Sequence, residues 1–249
     1  MKTNSIALLG LLGLCFTGAG PALAQDGQTG PVRFLKKQIG SESYESAGIF
    51  DVNGDKQPDI VSGAYWYEGP KFIAKHYIGA VKAYGEYWDD FSTIPMDVNA
   101  DGRMDYITGS WFSNSIRWHE NPGKEEEWKQ HIIGETGNVE CTMGWDVDND
   151  GHIEIVPNNP GHPLKFYKLQ RDAAGKSTGT FVKTEVAANQ GHGLGFGDVN
   201  GDGRGDFIVS DGWLEAPADP LKGKWTMHKE FEFGGASVPI LVVDVNSDG

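Results

Sequence analysis

The chain has 249 residues and a formal net charge of −14, with 35 acidic residues against 21 basic ones. This acidic balance argues against binding to nucleic acids or to anionic membrane surfaces, which attract basic proteins. Glycine, at 35 residues, is about twice as frequent as in an average protein, which favours turn-rich β structure over helix.

Residues 1–24 have the three parts of a secretory signal peptide. Lys2 gives a positive start, residues 6–16 form a short apolar core, and Ala22-Leu23-Ala24 matches an A-x-A cleavage site. The apolar core is too short to span a bilayer, so the sequence predicts no integral membrane association. We expect cleavage after Ala24 and a secreted or periplasmic protein.

The mature chain, residues 25–249, keeps one cysteine, Cys141, because Cys15 lies in the predicted signal peptide. An intramolecular disulfide is then impossible. An exported domain without disulfides needs another source of stability, and bound metal ions are a common one. The sequence therefore directs attention to metal-ligating motifs.

A motif of the form D-V-[ND]-x-D recurs along the chain at intervals of about 48 residues. It opens five acidic loops, and a large share of the 35 acidic residues lies in them. The loops are residues 51–59, 97–105, 146–154, 198–206 and 244–249. Self-similarity at this interval predicts a repeat architecture.

Short apolar segments surround each loop in a fixed order. A first strand leads into the loop and a second leaves it; in the first repeat these are Ile49-Phe50 and Ile60-Val61. A third strand carries an aromatic residue and a glutamate, and a fourth follows. The first strands of the later repeats are expected at residues 93–96, 142–145, 194–196 and 240–243. Four short strands per repeat are typical of a β-propeller blade.

The sequence thus predicts an all-β fold, a β-propeller of four-stranded blades over residues 25–249. Residues 33–40 (RFLKKQIG) are similar to residues 71–79 (KFIAKHYIG), so we expect them to be a fourth strand that closes the ring against C-terminal strands. The sequence stops at Gly249, inside the fifth loop. We therefore expect a ring of about seven blades when complete, of which this chain covers about four and part of a fifth.

The loops have the spacing of calcium sites. Oxygen ligands at loop positions 1, 3 and 5, the carbonyl of position 7 and the carboxylate at position 9 can together surround one Ca²⁺. Glycine at position 6 allows a bend with positive φ, and Lys56 at this position predicts a weaker or empty first site. Plain hairpin turns are the alternative, but five copies in register favour structural calcium. The predicted side-chain ligands are Asp51, Asn53, Asp55, Asp59, Asp97, Asn99, Asp101, Asp105, Asp146, Asp148, Asp150, Glu154, Asp198, Asn200, Asp202, Asp206, Asp244, Asn246 and Asp248.

The repeats resemble the FG-GAP and VCBS repeat propellers over residues 33–249, and this resemblance implies the propeller fold and calcium loops. Within that group, residues 195–217 (GFGDVNGDGRGDFIVSDGWLEAP), with His192 before them, resemble the propeller domain of aldos-2-ulose dehydratase-type proteins. Those are metal-dependent lyases that eliminate water from keto-sugars. None of their catalytic residues can be matched to a position of this chain.

A ligand site is expected at the end of the blades opposite the calcium loops, where the first strands begin. Six residues before the loops stand Glu45, Phe91 (with Asp90 beside it), Glu140, His192 and Val238, and links on the same face add Trp111, Asn114, Asn158, His162 and Asp211. Such a His/Glu/Asp ring can hold zinc or another divalent transition metal, or it can supply the acid and base of a β-elimination. The candidate catalytic residues are Glu140, His162 and His192, followed by Glu45 and Asp90.

Several other polar and aromatic residues recur with the repeat, which favours a structural role in every blade. These are His76, His131 and His228 on the fourth strands, and Glu68, Glu120 and Glu215 on the third. Trp111 and Trp213 are candidates either for stacking on sugar rings or for packing between blades.

Three functions fit these patterns. The leading hypothesis is a carbohydrate-active lyase or dehydratase for keto-sugars. The second is a non-catalytic carbohydrate- or protein-binding or adhesion module that uses the same face, and the third is a calcium-dependent scaffold without a small-molecule site. The fold itself does not choose among them, because propellers host all three.

Overall fold

The computed structural model describes residues 34–235 and 240–246. These residues contain 18 β-strands and no helix, so the described part of the chain has no helical segment long and apolar enough to cross a membrane. All the strands belong to one unit, residues 38–249. The predicted signal peptide, Val238 and Asp248 lie outside the described residues.

Sixteen of the strands form four antiparallel sheets of four strands each, and we name these sheets blades one to four. Blade one consists of β1 (Gly48–Phe50), β2 (Asp59–Ser62), β3 (Tyr65–Tyr67) and β4 (Lys75–Tyr77). Between blades one and two, β5 (Ala83–Tyr84) and β6 (Tyr87–Trp88) form a separate hairpin that the sequence did not predict. Blade two consists of β7 (Ile94–Met96), β8 (Asp105–Gly109), β9 (Ser115–Glu120) and β10 (Lys129–Glu135).

Blade three consists of β11 (Cys141–Trp145), β12 (Glu154–Asn158), β13 (Leu164–Arg171) and β14 (Ser177–Ala187). Blade four consists of β15 (Gly195–Gly197), β16 (Asp206–Val209), β17 (Gly212–Glu215) and β18 (Thr226–His228). In every blade each strand pairs with the next one along the chain. The prediction of an all-β fold with four-stranded propeller blades is confirmed.

The pattern of burial explains why the sequences of the second strands are mostly apolar. The strands β8, β12 and β16 are buried at every residue, because the neighbouring strands and blades cover both of their faces. The outer strands β10 and β14 are mostly exposed or half-buried. The hydrophobic core therefore lies at the second and third strands of each blade.

The core is divided into three clusters, and each cluster joins two successive blades. Residue pairs that belong to the same cluster are Val61 with Tyr106, Ile107 with Ile155, and Phe166 with Phe207. Because apolar side chains extend from both faces of blades two and three, each of these two blades is stabilised by both of its neighbours. This face-to-face packing places the loops of all four blades at one end and the first-strand starts at the other.

The first strands of successive blades also lie close together. A Cβ atom added to Gly48 of β1 would lie 2.7 Å from Cγ2 of Thr93, just before β7. A Cβ atom on Gly195 of β15 would lie 2.6 Å from the carbonyl oxygen of Ile240. Close approach of first strands around a common centre is the propeller arrangement.

Two predicted strands are not formed in the described structure. Residues 240–246 run beside β15, where the amide of Ile240 donates a hydrogen bond of 2.9 Å to the carbonyl of Leu194, but they are not a strand. Residues 34–40 are not a strand either. Strand geometry depends on a full ladder with a neighbour, and among the described residues neither segment has such a ladder.

Substituting Gly48 tests the packing of first strands. In Gly48→Ala, the new methyl group meets both the side chain of Thr93 and its carbonyl oxygen, which would lie 3.0 Å away. We expect the free energy of unfolding to fall by about 1–3 kcal/mol, as for other overpacked sites. The measurement is denaturant-induced unfolding.

Gly235→Ala is the matched control, because no atom of the described residues lies within 4 Å of a Cβ atom built there. Its stability should stay the same or rise by less than about 1 kcal/mol. Equal stabilities of the two variants would show that β1 does not pack against the start of blade two as described.

Candidate functional site

The four described acidic loops share one hydrogen-bond pattern. In blade one, Oδ1 of Asp51 accepts the N–H of Asp55 (3.2 Å), Oδ2 of Asp51 accepts that of Lys56 (2.8 Å), and Oδ1 of Asp55 accepts that of Gln57 (2.7 Å). The same three bonds recur in loops 97–105, 146–154 and 198–206. The sequence repeat is therefore also a repeat of local structure.

The backbone at loop position 6 is left-handed in every described loop. The φ angle is 85° at Gly102, 87° at Gly151 and 85° at Gly203. Lys56 adopts φ = 68° at this position of the first loop, although a residue with a Cβ atom rarely does so. The first loop therefore keeps the shape of the others despite its lysine.

The acid at loop position 9 has a structural role that the sequence did not predict. This acid has no exposed surface in any of the four blades, where it is Asp59, Asp105, Glu154 and Asp206. One of its oxygens accepts the N–H of loop position 2, at 2.8 to 3.0 Å. In blades one, two and four, the other oxygen accepts a backbone N–H just after the third strand, that of Gly69, Asn121 and Ala216, at 2.8 Å.

This buried acid therefore ties the loop to the third strand of its blade. Burial raises the pKa of Asp105 to about 6 and also raises that of Asp206. Each carboxylate oxygen accepts more than one hydrogen bond or ligand contact, so the tie and a cation contact are compatible.

Positions 1, 3 and 5 carry the remaining oxygen ligands. In blade one, Oδ1 of Asn53 accepts the N–H of Asp55 at 3.0 Å, and its amide nitrogen lies 3.4 Å from Oδ2 of Asp55. The corresponding contacts occur at Asn99 and Asn200. Carboxylate and amide oxygens on one fixed turn are the donor set that Ca²⁺ prefers. The residues of blades one, two and four therefore fit calcium.

The loop of blade three differs, because a lysine lies in it. Asp146, Asp148 and Glu154 place ligating oxygens within 4.8 Å of one another. Nζ of Lys168 lies 2.8 Å from Asp148, 2.7 Å from Asp150 and 2.9 Å from Glu154. Burial opposes the charge of Lys168, but the hydrogen bonds to these carboxylates raise its pKa above the usual range.

A tryptophan, a histidine and a glutamate form a repeated contact on the third and fourth strands. In blade two, the ring of His131 stacks on Trp118 with centroids 4.2 Å apart, and its Nε2 lies 2.7 Å from Oε2 of Glu120. The corresponding contacts are Trp66, His76 and Glu68 in blade one, and Trp213, His228 and Glu215 in blade four. The interpretation of these histidines and glutamates as blade residues is confirmed.

Of the two roles open to Trp213, stacking on a sugar ring or packing, this contact favours packing. The indole of Trp213 is 6% exposed, and its face is covered by His228. It therefore serves packing within its blade.

At the opposite end of the blades, two predicted site residues come together. Nε2 of His192, before β15, lies 3.6 Å from Oε1 of Glu140, before β11. The two side chains keep 47% and 30% of their surface exposed. A half-exposed imidazole and carboxylate can bind a polar ligand by hydrogen bonds, and they can also transfer protons.

Asn158, at the end of β12, positions both sides of this pair. Its side-chain amide donates to Oε1 of Gln190 (2.8 Å) and to the carbonyl of Gly191 (3.0 Å), and its Oδ1 accepts the N–H of Gly193 (3.1 Å). Its own carbonyl accepts the N–H of Glu140 at 3.0 Å. The side chain and the backbone carbonyl of this one buried residue thus fix the chain on both sides of the pair. The sequence placed Asn158 on this face but did not indicate Gln190.

A second acidic pair joins blades one and two. The N–H of Glu45 donates to Oδ1 of Asp90 at 3.4 Å, and Oε1 of Glu45 accepts the N–H of Trp88 at 2.9 Å. Asp90 is 4% exposed, and its Oδ2 has no hydrogen-bond partner in the described part of the chain. Burial raises the pKa of Asp90 to about 7.

Arg117 was not predicted as part of this face. Its guanidinium Nη2 donates to the carbonyl of Asp89, and its Nε is buried without a hydrogen-bond partner among the described residues. The Asp89 carboxylate in turn accepts the backbone N–H of Phe112 and Ser113. The position of Arg117 within the apolar strand β9 gave no signal of this role.

His162 is not joined to either pair. Its backbone N–H donates to the carbonyl of Asn159, and a Cβ atom on Gly137 would lie 2.5 Å from its Nε2. No hydrogen bond or ion pair to Glu140 or His192 is found in the described residues, so its site role stays a prediction.

The transition-metal hypothesis also stays a prediction. Within residues 34–235 and 240–246, no third His, Cys, Asp or Glu ligand atom groups with Glu140 and His192. Catalytic zinc is typically held by three protein ligands.

Comparison with known families bears directly on the repeats. Residues 97–156 and 146–209 match the FG-GAP-like repeat family. Residues 97–209 thus carry two FG-GAP-like repeats. A comparison with curated proteins gave no match, so the narrower resemblance to aldos-2-ulose dehydratase-type proteins stays a prediction.

Among solved structures, this chain is similar to a lectin from Agrocybe aegerita that is described as recognising non-reducing terminal N-acetylglucosamine. The sequence identity is 15%, the TM-score is 0.45, and the match covers 76% of this chain. The match covers 54% of the lectin chain, about half of its length. At this level of similarity the lectin's ligand carries no argument about the ligand of this chain.

Asp90→Asn should change how stability depends on pH. The folded pKa of about 7 lies above the ordinary aspartate value of about 3.9, so the folded protein keeps a proton that the unfolded chain releases. Wild-type stability therefore falls through this residue as the pH rises from about 4 to 7. Asparagine does not titrate, so the variant does not lose stability at this position as the pH rises. Its stability relative to that of wild type should therefore increase between pH 5 and pH 8.

The measurement is denaturant unfolding at both pH values in saturating calcium, with exposed Asp211→Asn as the control. The control should follow the wild type at both pH values. Parallel pH profiles of Asp90→Asn and wild type would show that Asp90 is already ionised at low pH.

Proposed function

We propose that this chain is part of a calcium-stabilised β-propeller that binds a carbohydrate at the face formed by Glu140, His192 and Asn158. The observation that carries this proposal is the half-exposed Glu140–His192 pair, which the side chain and backbone carbonyl of the buried Asn158 position across two blades. Fixed polar groups of this kind bind ligands well because little ordering remains to be done on binding.

The charge of the face favours a neutral, hydroxyl-rich ligand. Glu140 stands on one side and the pair of Glu45 and Asp90 precedes the first strands of blades one and two. Carboxylates repel phosphates and other anions, but they accept hydrogen bonds from sugar hydroxyls, while an imidazole either donates or accepts one. A carbohydrate therefore fits this face better than a nucleotide or an acidic peptide.

Calcium has a separate role, at the other end of the blades. The acidic loops of blades one, two and four present carboxylate and amide oxygens on a turn that recurs in each of them, and their buried position-9 acids fix that turn to the blade. Ions that bind only the folded loops add directly to the stability of the fold.

Removing calcium should lower the melting temperature steeply. At a calcium concentration about 100-fold above Kd, each occupied site contributes about 2.7 kcal/mol. The measurement is thermal unfolding with and without excess chelator, followed by re-addition of calcium. Asp97→Asn, which alters the first ligand of the blade-two loop, should reduce the calcium-dependent part of the stabilisation, and Asp211→Asn should not. A wild-type melting temperature that is unchanged by the chelator would contradict the calcium proposal.

Glu140→Gln and His192→Asn should weaken carbohydrate binding by tenfold or more, because a hydrogen bond to a charged group is worth about 1.5–3 kcal/mol. The measurement is a glycan array with the calcium-loaded protein, followed by titration calorimetry with the sugars that bind. Glu120→Gln and His131→Asn form the matched control, since they alter the same residue types at a pair within blade two. Sugar binding that survives both face substitutions would contradict the assignment of the site.

The same pair supports a second candidate, a lyase that removes water from a keto-sugar. In that reaction one group takes a proton from the carbon next to the carbonyl, the neighbouring carbon loses its hydroxyl, which leaves as water after gaining a proton, and a C=C bond forms. His192 and Glu140 are close enough to share these two proton transfers, and the resemblance of residues 195–217 to dehydratase-type propellers favours it. Keto-sugars that bind are therefore also incubated with the protein. Formation of an enone product by the wild type but by neither face variant would support the lyase. Binding without any product would support the non-catalytic binding module.

A further inference from the structure

Lys168 occupies a position where three other blades carry a glutamate. The tryptophan of the third strand lies opposite the second residue after the buried acid in blades one, two and four: Trp66 opposite Val61, Trp118 opposite Ile107, and Trp213 opposite Ile208. In blade three, Ile155 pairs with Tyr167, so Phe166 takes the place of the tryptophan. Two residues later stand Glu68, Glu120, Lys168 and Glu215.

The partners of this position change together with it. Each of the three glutamates contacts a histidine on the fourth strand. In blade three, the residue paired with Phe166 is Thr184, and no histidine stands there. The loop changes as well, because its position 3 is Asp148, whereas the other three described loops have asparagine. The loop with an additional acid is thus the loop beside the lysine.

The contacts of the Lys168 ammonium match the requirements of a loop cation. An ammonium has three N–H donors, and Nζ contacts three carboxylates, those of Asp148, Asp150 and Glu154. Glu154 is fully buried, and its Oε1 has the lysine as its partner where the other blades have a backbone N–H. A buried carboxylate needs such a partner, because an unpaired buried charge is strongly unfavourable.

The arginines of the other loops do not play this part. Arg103 and Arg204 each contact one carboxylate, that of loop position 5, and their Nε donates to a backbone carbonyl after the third strand. They cover the outside of their loops, whereas Lys168 bridges positions 3, 5 and 9 of its loop.

We propose that the Lys168 ammonium takes the place of a calcium ion in the loop of blade three, so that this repeat folds without the metal. The proposal rests on the calcium sites proposed for the other loops. A calcium ion in the same loop would have to displace the lysine from its three carboxylates and remain next to a like charge. Blade three is therefore a calcium-independent blade among calcium-dependent ones.

The test measures the number of bound calcium ions per chain in one variant that should gain an ion and in one control variant that should not. Lys168→Met keeps most of the side-chain volume but removes the charge, so the emptied loop should bind one additional calcium ion per chain. Its melting temperature in chelator should fall by about 5–10 °C, since three carboxylates lose their counter-charge, and calcium should restore it. Lys183→Met, on the adjacent strand β14, is the matched control and should change neither quantity. Calcium per chain is measured by elemental analysis after equilibrium dialysis of the full chain.

A second pair of variants keeps Lys168 in place. Asp146→Asn and Asp198→Asn alter the same loop position in blades three and four. We expect Asp198→Asn to lose one calcium ion per chain and Asp146→Asn to lose none. These variants decide the question if Lys168→Met does not fold.

The outcomes separate this inference from the calcium proposal as a whole. A loss of calcium in Asp146→Asn, or no gain in Lys168→Met, would overturn the role of Lys168. A wild-type protein that binds no calcium would contradict the proposal for the other loops. In that case a gain of one ion in Lys168→Met would still support the role of Lys168, and no gain would overturn it.

Discussion

Each blade depends on one buried carboxylate at the start of its second strand. This acid accepts the N–H of the loop residue that follows the first strand, and in three blades it also accepts an N–H from just after the third. A buried charge is tolerated only with such partners, so the acid forces three strands into one arrangement. The turn above it then has little freedom, which is why oxygens separated by two residues in sequence lie together in space.

The fold could be predicted from sequence because its determinants are local. The D-V-[ND]-x-D motif, the apolar runs on both sides and the aromatic third strands all lie within one repeat of about 48 residues. The strand predictions that failed, at residues 34–40 and 240–243, concern segments that have no ladder with another strand among the described residues. A strand is a property of a pair, and the pattern of one segment cannot establish it.

The candidate site was predictable only in part, for a related reason. Counting back from each loop identified Glu140 and His192, because every first strand starts at the same end. The contacts of Gln190, Arg117 and Lys168 depend on which residues face each other between strands and blades. Lys168 in particular looks like an ordinary strand lysine until the register shows three acids around it.

The seam between blades three and four gives the face a mechanical property. Glu140 belongs to one blade and His192 to the next, and Asn158 spans the joint between them. A ligand that contacts both side chains would therefore link the two blades. Because such coupling is reciprocal, a change in the relative orientation of the two blades would lower the affinity for the ligand. A bound ligand would in turn oppose that change.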